Sequence, residues 1–132
     1  MAASPQAFAE LDEDLRLFIE RQEMMFVATF DDEGERACTF RTGPPGFVRV
    51  LDVNRLAWPE YADDVELEAI DVSLLFLNSS RDAIDLHVDG RAKVLDDRSM
   101  RRAYRCLPEP VHGAAPAHWV TVYVEEVHTG GQ

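Results

Sequence analysis

Across residues 83–95 apolar and polar side chains alternate: Ile84, Leu86, Val88, Ala92 and Val94 share one phase, and Asp85, His87, Asp89, Arg91 and Lys93 share the other. A period of two commits this segment to a strand with one face in a core and the other in water, because successive side chains of an extended chain point to opposite sides. Gly90 falls on the apolar phase, where a missing side chain predicts a sharp bend or a bulge. Residues 119–127 repeat the pattern, with Val120, Val122 and Val124 set against Thr121, Tyr123 and Glu125. A sheet with a one-sided core follows from these two segments alone.

The remaining elements fit around that sheet. Ser4 and Pro5 read as a helix start, and Leu11, Leu15, Phe18 and Ile19 recur at helical spacing to about Gln22. Residues 25–30 and 35–41 read as strands joined by the turn-rich Asp31-Asp32-Glu33-Gly34. After the Gly43-Pro44-Pro45-Gly46 elbow, residues 47–52 and 55–59 form a second hairpin around Asp52-Val53-Asn54-Arg55, whose arginines and Trp58 are candidates to face a cleft. Val72-Ser73-Leu74-Leu75-Phe76-Leu77 reads as a strand buried on both faces, and Asn78-Ser79-Ser80-Arg81-Asp82 as a turn. Asp96 and Asp97 cap a short helix containing Met100, Ala103 and Tyr104, and residues 107–117 read as a loop. Six or seven antiparallel strands, an N-terminal helix and a short helix before the last strand predict a mainly β fold, a small barrel or sandwich. Trp58, Trp119 and Tyr123 are expected on an outer face or an interface, which favours a dimer. With 132 residues and 46% hydrophobic content, one domain spanning residues 1–132 is expected.

A formal net charge of −12 repels phosphate backbones and anionic lipids, which argues against a nucleic-acid or membrane-surface role. No apolar run approaches a membrane span, and no basic segment precedes an apolar one near the start, so a cytoplasmic location is expected. Lys93 is the only lysine among 13 basic residues. The arginines suit planar, two-pronged contacts to anions, although genome base composition produces the same bias. Cys38 and Cys106 lack partners at metal-ligand spacing, and Cys38 reads as a buried, unreactive thiol. His112, His118 and His128 stand isolated in the sequence, so no metal site is expected. Asp63, Asp64, Glu66 and Glu68 read as a solvated acidic face, since they lack the pattern of a calcium loop.

Five pieces in order resemble the pyridoxamine 5'-phosphate oxidase-like, FMN-binding split-barrel family: Phe18-Ile19-Glu20-Arg21-Gln22, Met25-Phe26-Val27-Ala28-Thr29, Gly43-Pro44-Pro45-Gly46-Phe47-Val48-Arg49-Val50-Leu51-Asp52, Ser73-Leu74-Leu75-Phe76-Leu77, and Leu86-His87-Val88-Asp89-Gly90-Arg91-Ala92-Lys93-Val94. The resemblance covers about residues 15–96. It implies a split barrel, a homodimer with a flavin in each of two interfacial clefts, and hydride transfer to a small molecule at the isoalloxazine ring. It also implies that FMN contacts Phe47, Val48, Arg49 and Val50 on one strand and Trp58 and Pro59 on the next, with Arg41 as a further cation. Relatives carry a longer connection of small, basic and asparagine-rich character after the second strand, whereas residues 62–71 here are short and acidic, with no lysine or arginine.

Two outcomes therefore stand open. Arg41 and Arg49, with Arg91 contributed by a partner subunit, either converge near Trp58 on a cofactor phosphate, or pair with the abundant carboxylates. Trp58 either stacks on a flavin or packs at a strand end. His87 is either a proton donor beside a reduced ring or a solvated side chain. The first set of answers describes an FMN-linked oxidoreductase. The second describes a non-catalytic dimer with a degenerate flavin site, acting as a binding or interaction module.

Overall fold

The structure, a computed structural model, describes residues 6–8, 10–30, 33, 36–61, 70–77, 84–104, 107 and 115–131. Its elements run β1 (Gln6–Phe8), α1 (Glu13–Arg21), β2 (Met24–Phe30), β3 (Arg36–Thr42), β4 (Arg49–Asp52), β5 (Arg55–Glu60), β6 (Ile70–Phe76), β7 (Ile84–Leu95), α2 (Asp97–Ala103) and β8 (His118–Gly131). Seven strands form one antiparallel path in the order β3-β2-β6-β7-β8-β5-β4, and β1 pairs with β8 off that path. The fold is a split barrel with two small helices. Expectations at Ser4, Pro5, Asp31, Asp32, Gly34, residues 62–69, residues 78–82, Cys106 and His112 lie outside the described residues.

The two alternating segments predicted from sequence make the longest ladder. β7 pairs with β8 from Ile84↔Gly131 to Leu95↔Trp119, and the register shifts between Asp89 and Gly90. Asp89 faces Glu126 and Gly90 faces Val124, so Glu125 is the extra residue of a bulge on β8. The expected irregularity is thus present, and a close approach explains it. A Cβ on Gly90 would run into the Tyr123 carbonyl oxygen and lie 2.8 Å from Cγ1 of Val122. Beside the bulge, the Val124 amide donates to the Asn54 carbonyl at 2.6 Å, which ties the β4–β5 turn to β8.

Ile19, Met25, Val27, Val48, Leu56, Trp58, Leu74, Phe76, Leu86, Val88, Val122 and Val127 belong to one continuous core. A smaller core joins Ala57, Met100 and Trp119, with α2 laid over the opposite face of β5 and β8. Trp119 Nε1 donates to Asp97 at 2.8 Å, so this indole is buried with its polar edge satisfied.

Several expectations are corrected. The first helix begins at Glu13 with Asp12 as its cap, the Asp12 carboxylate accepting from the Leu15 amide at 2.9 Å. Gln6–Phe8 is a strand instead, because β8 extends far enough to offer it an edge. β6 is buried on one face only: Val72, Leu74 and Phe76 are buried, Ser73 and Leu75 partly covered, and Asp71 and Leu77 exposed. Ser73 and Leu75 fall on the outer face of the sheet, where β2 and β7 flank β6 without covering it. Trp58 and Trp119 are fully buried rather than on an outer face, whereas Tyr123 is exposed. Cys38 is exposed because both faces of the edge strand β3 are uncovered within the protomer.

Gly90→Ala should lower unfolding stability by more than about 2 kcal/mol, since backbone rather than a movable side chain blocks the new methyl group. Urea denaturation followed by tryptophan fluorescence measures the loss. An unchanged midpoint would refute the close-approach argument.

Candidate functional site

β5 alternates Leu56, Trp58 and Glu60 into the barrel, so its last residue carries a carboxylate toward the core, where Glu60 retains 4% exposure. Two donors balance it. Trp58 Nε1 donates to Oε1 at 2.5 Å, and Arg41 Nε donates to the same oxygen at 2.6 Å. Arg41 also reaches the Thr39 hydroxyl at 3.0 Å and the Phe40 carbonyl at 3.2 Å. A buried carboxylate is tolerated only when paired and hydrogen-bonded, so these contacts are conditions of the fold. They also remove Trp58 from any cleft of the protomer, because its indole points inward and its polar edge is engaged. Phe47 and Val48 are likewise core side chains, whereas Val50 and Pro59 are partly covered.

Arg49 has a different environment. It lines a cleft of about 440 Å³ with Arg16 and Glu20 of α1, Val50 and Leu51 of β4, and Ala103 and Tyr104 at the end of α2. Glu20 bridges helix and strand, accepting from the Val50 amide at 3.0 Å and standing 3.7 Å from the Arg49 guanidinium. Arg16 donates to Glu13 at 2.8 Å, and that bond raises its already high pKa, so it is charged at any working pH. Its Nε is buried without a hydrogen-bond partner. The side chain as a whole remains 43% exposed, so solvent reaches the rest of the guanidinium. Two guanidiniums thus line the wall, partly offset by Glu20 and by the Glu13 carboxylate bonded to Arg16.

Tyr104 joins this cleft to a second groove of about 320 Å³, lined also by Arg55, Arg91, Lys93, Thr121 and Tyr123. Its hydroxyl accepts from Arg55 at 3.3 Å, a contact that holds the guanidinium further up its range. Arg91 stands 3.6 Å from Asp71 and Arg55 4.0 Å from Asp52, pairs that are largely solvated and weak. Five cationic side chains thus surround one tyrosine in a strongly acidic chain.

Within the protomer, Arg41 meets Trp58 on Glu60, whereas Arg49 and Arg91 lie elsewhere. Arg41 is bound to Glu60, Arg49 lines the first cleft and Arg91 the second groove. Arg16 and Tyr104 were missed. Arg16 stands one helical turn before Glu20, a legible relation, but nothing local ties Tyr104 to β4. Nor is His128 isolated, since the β7–β8 register sets it opposite His87. Asp96 caps α2 by accepting from the Ser99 amide at 2.7 Å and its hydroxyl at 3.0 Å, which holds its carboxyl below the ordinary 3.8.

Over residues 11–129 the chain matches the family model of pyridoxamine 5'-phosphate oxidase. It belongs to that family. Solved structures agree on the fold at low sequence identity. The chain superposes on Group A Streptococcus HupZ with a TM-score of 0.60 at 16% identity, covering 88% of this chain and 90% of that one. The FAD binding protein from Mycobacterium smegmatis gives 0.63 at 14%, covering 92% and 96%. A conserved protein of unknown function from Corynebacterium diphtheriae gives 0.64 at 12%, covering 96% and 98%. A comparison with curated proteins found no match. Among the described residues, no helix is long and apolar enough to cross a membrane.

Two predictions follow from this geometry. Glu60→Ala should cost about 2–3 kcal/mol in urea denaturation, because it strands a buried indole N–H and an arginine together; a loss below about 0.5 kcal/mol would refute this role. The Asp96 cap, with its folded pKa below its unfolded value, should contribute fully above pH 3.8 and fade as pH falls through the lower folded value. Amide exchange in α2, compared between the wild type and Asp96→Ala, should show protection differing at neutral pH and converging in acid.

Proposed function

We propose that this protein is a flavin-binding, oxidoreductase-type member of its family that takes FMN, as a homodimer, in the cleft between α1, β4 and Tyr104. The observation that carries the reading is the placement of Arg16 and Arg49 on the wall of one cleft of about 440 Å³. This donor set suits the phosphate end of a flavin nucleotide, since guanidiniums bind phosphate through paired, charge-assisted hydrogen bonds. Arg16 and Arg49 would hold the anion, and the β4 backbone at Val50 would border the ring. Bound FMN supplies hydride transfer to or from a small molecule. Glu20 orients Arg49 and keeps β4 against α1, while Tyr104 closes the cleft and links it to the cationic groove. Family membership and the flavin named for the Mycobacterium smegmatis neighbour support a flavin.

Dimerisation is part of the proposal. Phe40, Met24 and Leu77 are exposed, and β3 lies open on both faces at one end of the sheet path. A second copy covering β3 would bury this apolar surface and the unpaired strand edge.

One observation favours the second reading, a non-catalytic dimer serving as a binding module. Glu60 engages both Arg41 and Trp58, which leaves Arg49 alone of those three lining a cleft.

An absorption spectrum after incubation with FMN and desalting separates the two. Retained flavin bands at about one cofactor per chain are expected, with Arg49→Ala weakening FMN about 10- to 100-fold, the worth of one charged hydrogen bond. A colourless wild type that refuses FMN would leave the binding-module reading.

A further inference from the structure

The outer face of the β7–β8 ladder carries four groups that neither the core nor the cleft uses. The register sets His87 opposite His128 and Asp89 opposite Glu126. Within each strand the two members are two residues apart, so all four project from the same side of the sheet.

Their polar atoms are close together. One ligand atom each from Asp89, Glu126 and His128 lie within 4.8 Å of one another. His128 Nε2 is 3.1 Å from Glu126 Oε1 and 3.7 Å from Asp89 Oδ2. His87 Nε2 is 3.2 Å from Asp89 Oδ1, and the two imidazole centroids are 5.9 Å apart. A tetrahedral ion with ligands at zinc-like bond lengths holds its donor atoms about 3.3 Å apart. The two separations from His128, 3.1 Å to Glu126 and 3.7 Å to Asp89 Oδ2, bracket that value.

Two further features point the same way. Carboxylates directly opposite each other on neighbouring strands repel and destabilise the pairing, yet Asp89 and Glu126 hold this position. A cation between them reverses the sign of that interaction. Asp89 is also oriented from behind: Ser73, its register partner on β6, donates its hydroxyl to Oδ1 at 2.5 Å. Such a bond fixes a ligating carboxylate and leaves its other oxygen for the metal. The β8 bulge lies immediately beside these residues, and bulges re-aim neighbouring side chains.

We propose that Asp89, Glu126 and His128, with His87 as the fourth ligand, bind a divalent transition-metal ion of the zinc class. Imidazole with carboxylate suits this class; magnesium and calcium prefer all-oxygen sites, and copper(I) prefers sulfur. The side chains retain between 33% and 53% exposure, so the ion has a direct path from solvent.

The test uses the full chain without an affinity tag, stripped with chelator, dialysed, and titrated with Co²⁺ and then Zn²⁺. The expected result is one Co²⁺ per chain with the visible absorption of a four- or five-coordinate ion, displaced by Zn²⁺, and a higher melting temperature with Zn²⁺. His128→Ala and Asp89→Asn should each weaken binding by about tenfold or more, and Ser73→Ala by about tenfold. Glu125→Gln, which changes the bulge carboxylate outside the set, should leave affinity unaltered. Circular dichroism checks that each variant folds, and His87→Ala, at an exposed position, serves if Asp89→Asn does not. Failure of the stripped protein to take up one equivalent of Co²⁺ would overturn the proposal. So would binding that survives His128→Ala, or that Glu125→Gln weakens as much as Asp89→Asn. The readout comes from the metal alone and is independent of flavin.

Discussion

The long antiparallel pairing of β7 with β8 is the constraint on which the rest of the molecule depends. It supplies the inner valines of the core and gives β1, β5 and β6 their edges. It closes only because Gly90 lets the strand approach the Tyr123 carbonyl at the bulge. The added twist of a bulge helps an open sheet curl toward a barrel. At the same point the Val124 amide reaches the β4–β5 turn, so one irregularity couples the longest ladder to the hairpin beside the cleft.

Within that frame, the protein disposes of its charge in two ways. Where a carboxylate must be buried, as at Glu60, it is matched by an arginine and an indole N–H, and those donors are committed to structure. Where charges remain at the surface, opposite signs gather in separate regions. Cations collect around Tyr104, and carboxylates with imidazoles collect on the outer face of β7 and β8. The overall charge of −12 describes neither region. Local fields in a groove are set by the few groups lining it, which is why a strongly acidic chain still gathers cations around Tyr104.

Much of the fold was legible in advance. Periods of two in residues 83–95 and 119–127 report a half-buried sheet directly, and Gly90 on the apolar phase reported the bulge. Asp96 as a cap, and the Asp52 to Arg55 turn, were readable because each acts over three or four residues. The misreadings have a common cause. Ser4 and Pro5 place the helix start too early because a strand at Gln6–Phe8 requires a distant edge on β8, which no local signal announces. The apolar run of β6 suggests burial on both faces because apolarity alone does not say how many layers cover a strand. The expectation of an outer face for Trp58 fails because a strand's alternation tells which residues share a face, not which face turns inward. Of the candidate site residues, Arg49 lines a cleft of the protomer. Arg16, Tyr104 and Glu60 acquired their places from contacts between elements far apart in the chain.

By itself, the sequence determined the class of the fold, the order of its strands after β1, its bulge and the family to which it belongs. These rest on periodicity, turn chemistry and short-range capping, all of which act between neighbours. Only the tertiary structure decided which charges meet. Asp89 and Glu126 are 37 residues apart and become opposites through register; Arg41 and Glu60 become partners because both are directed to the same buried point. The physical reason is that charge pairing and desolvation depend on distance in space, and a chain states only distance along itself.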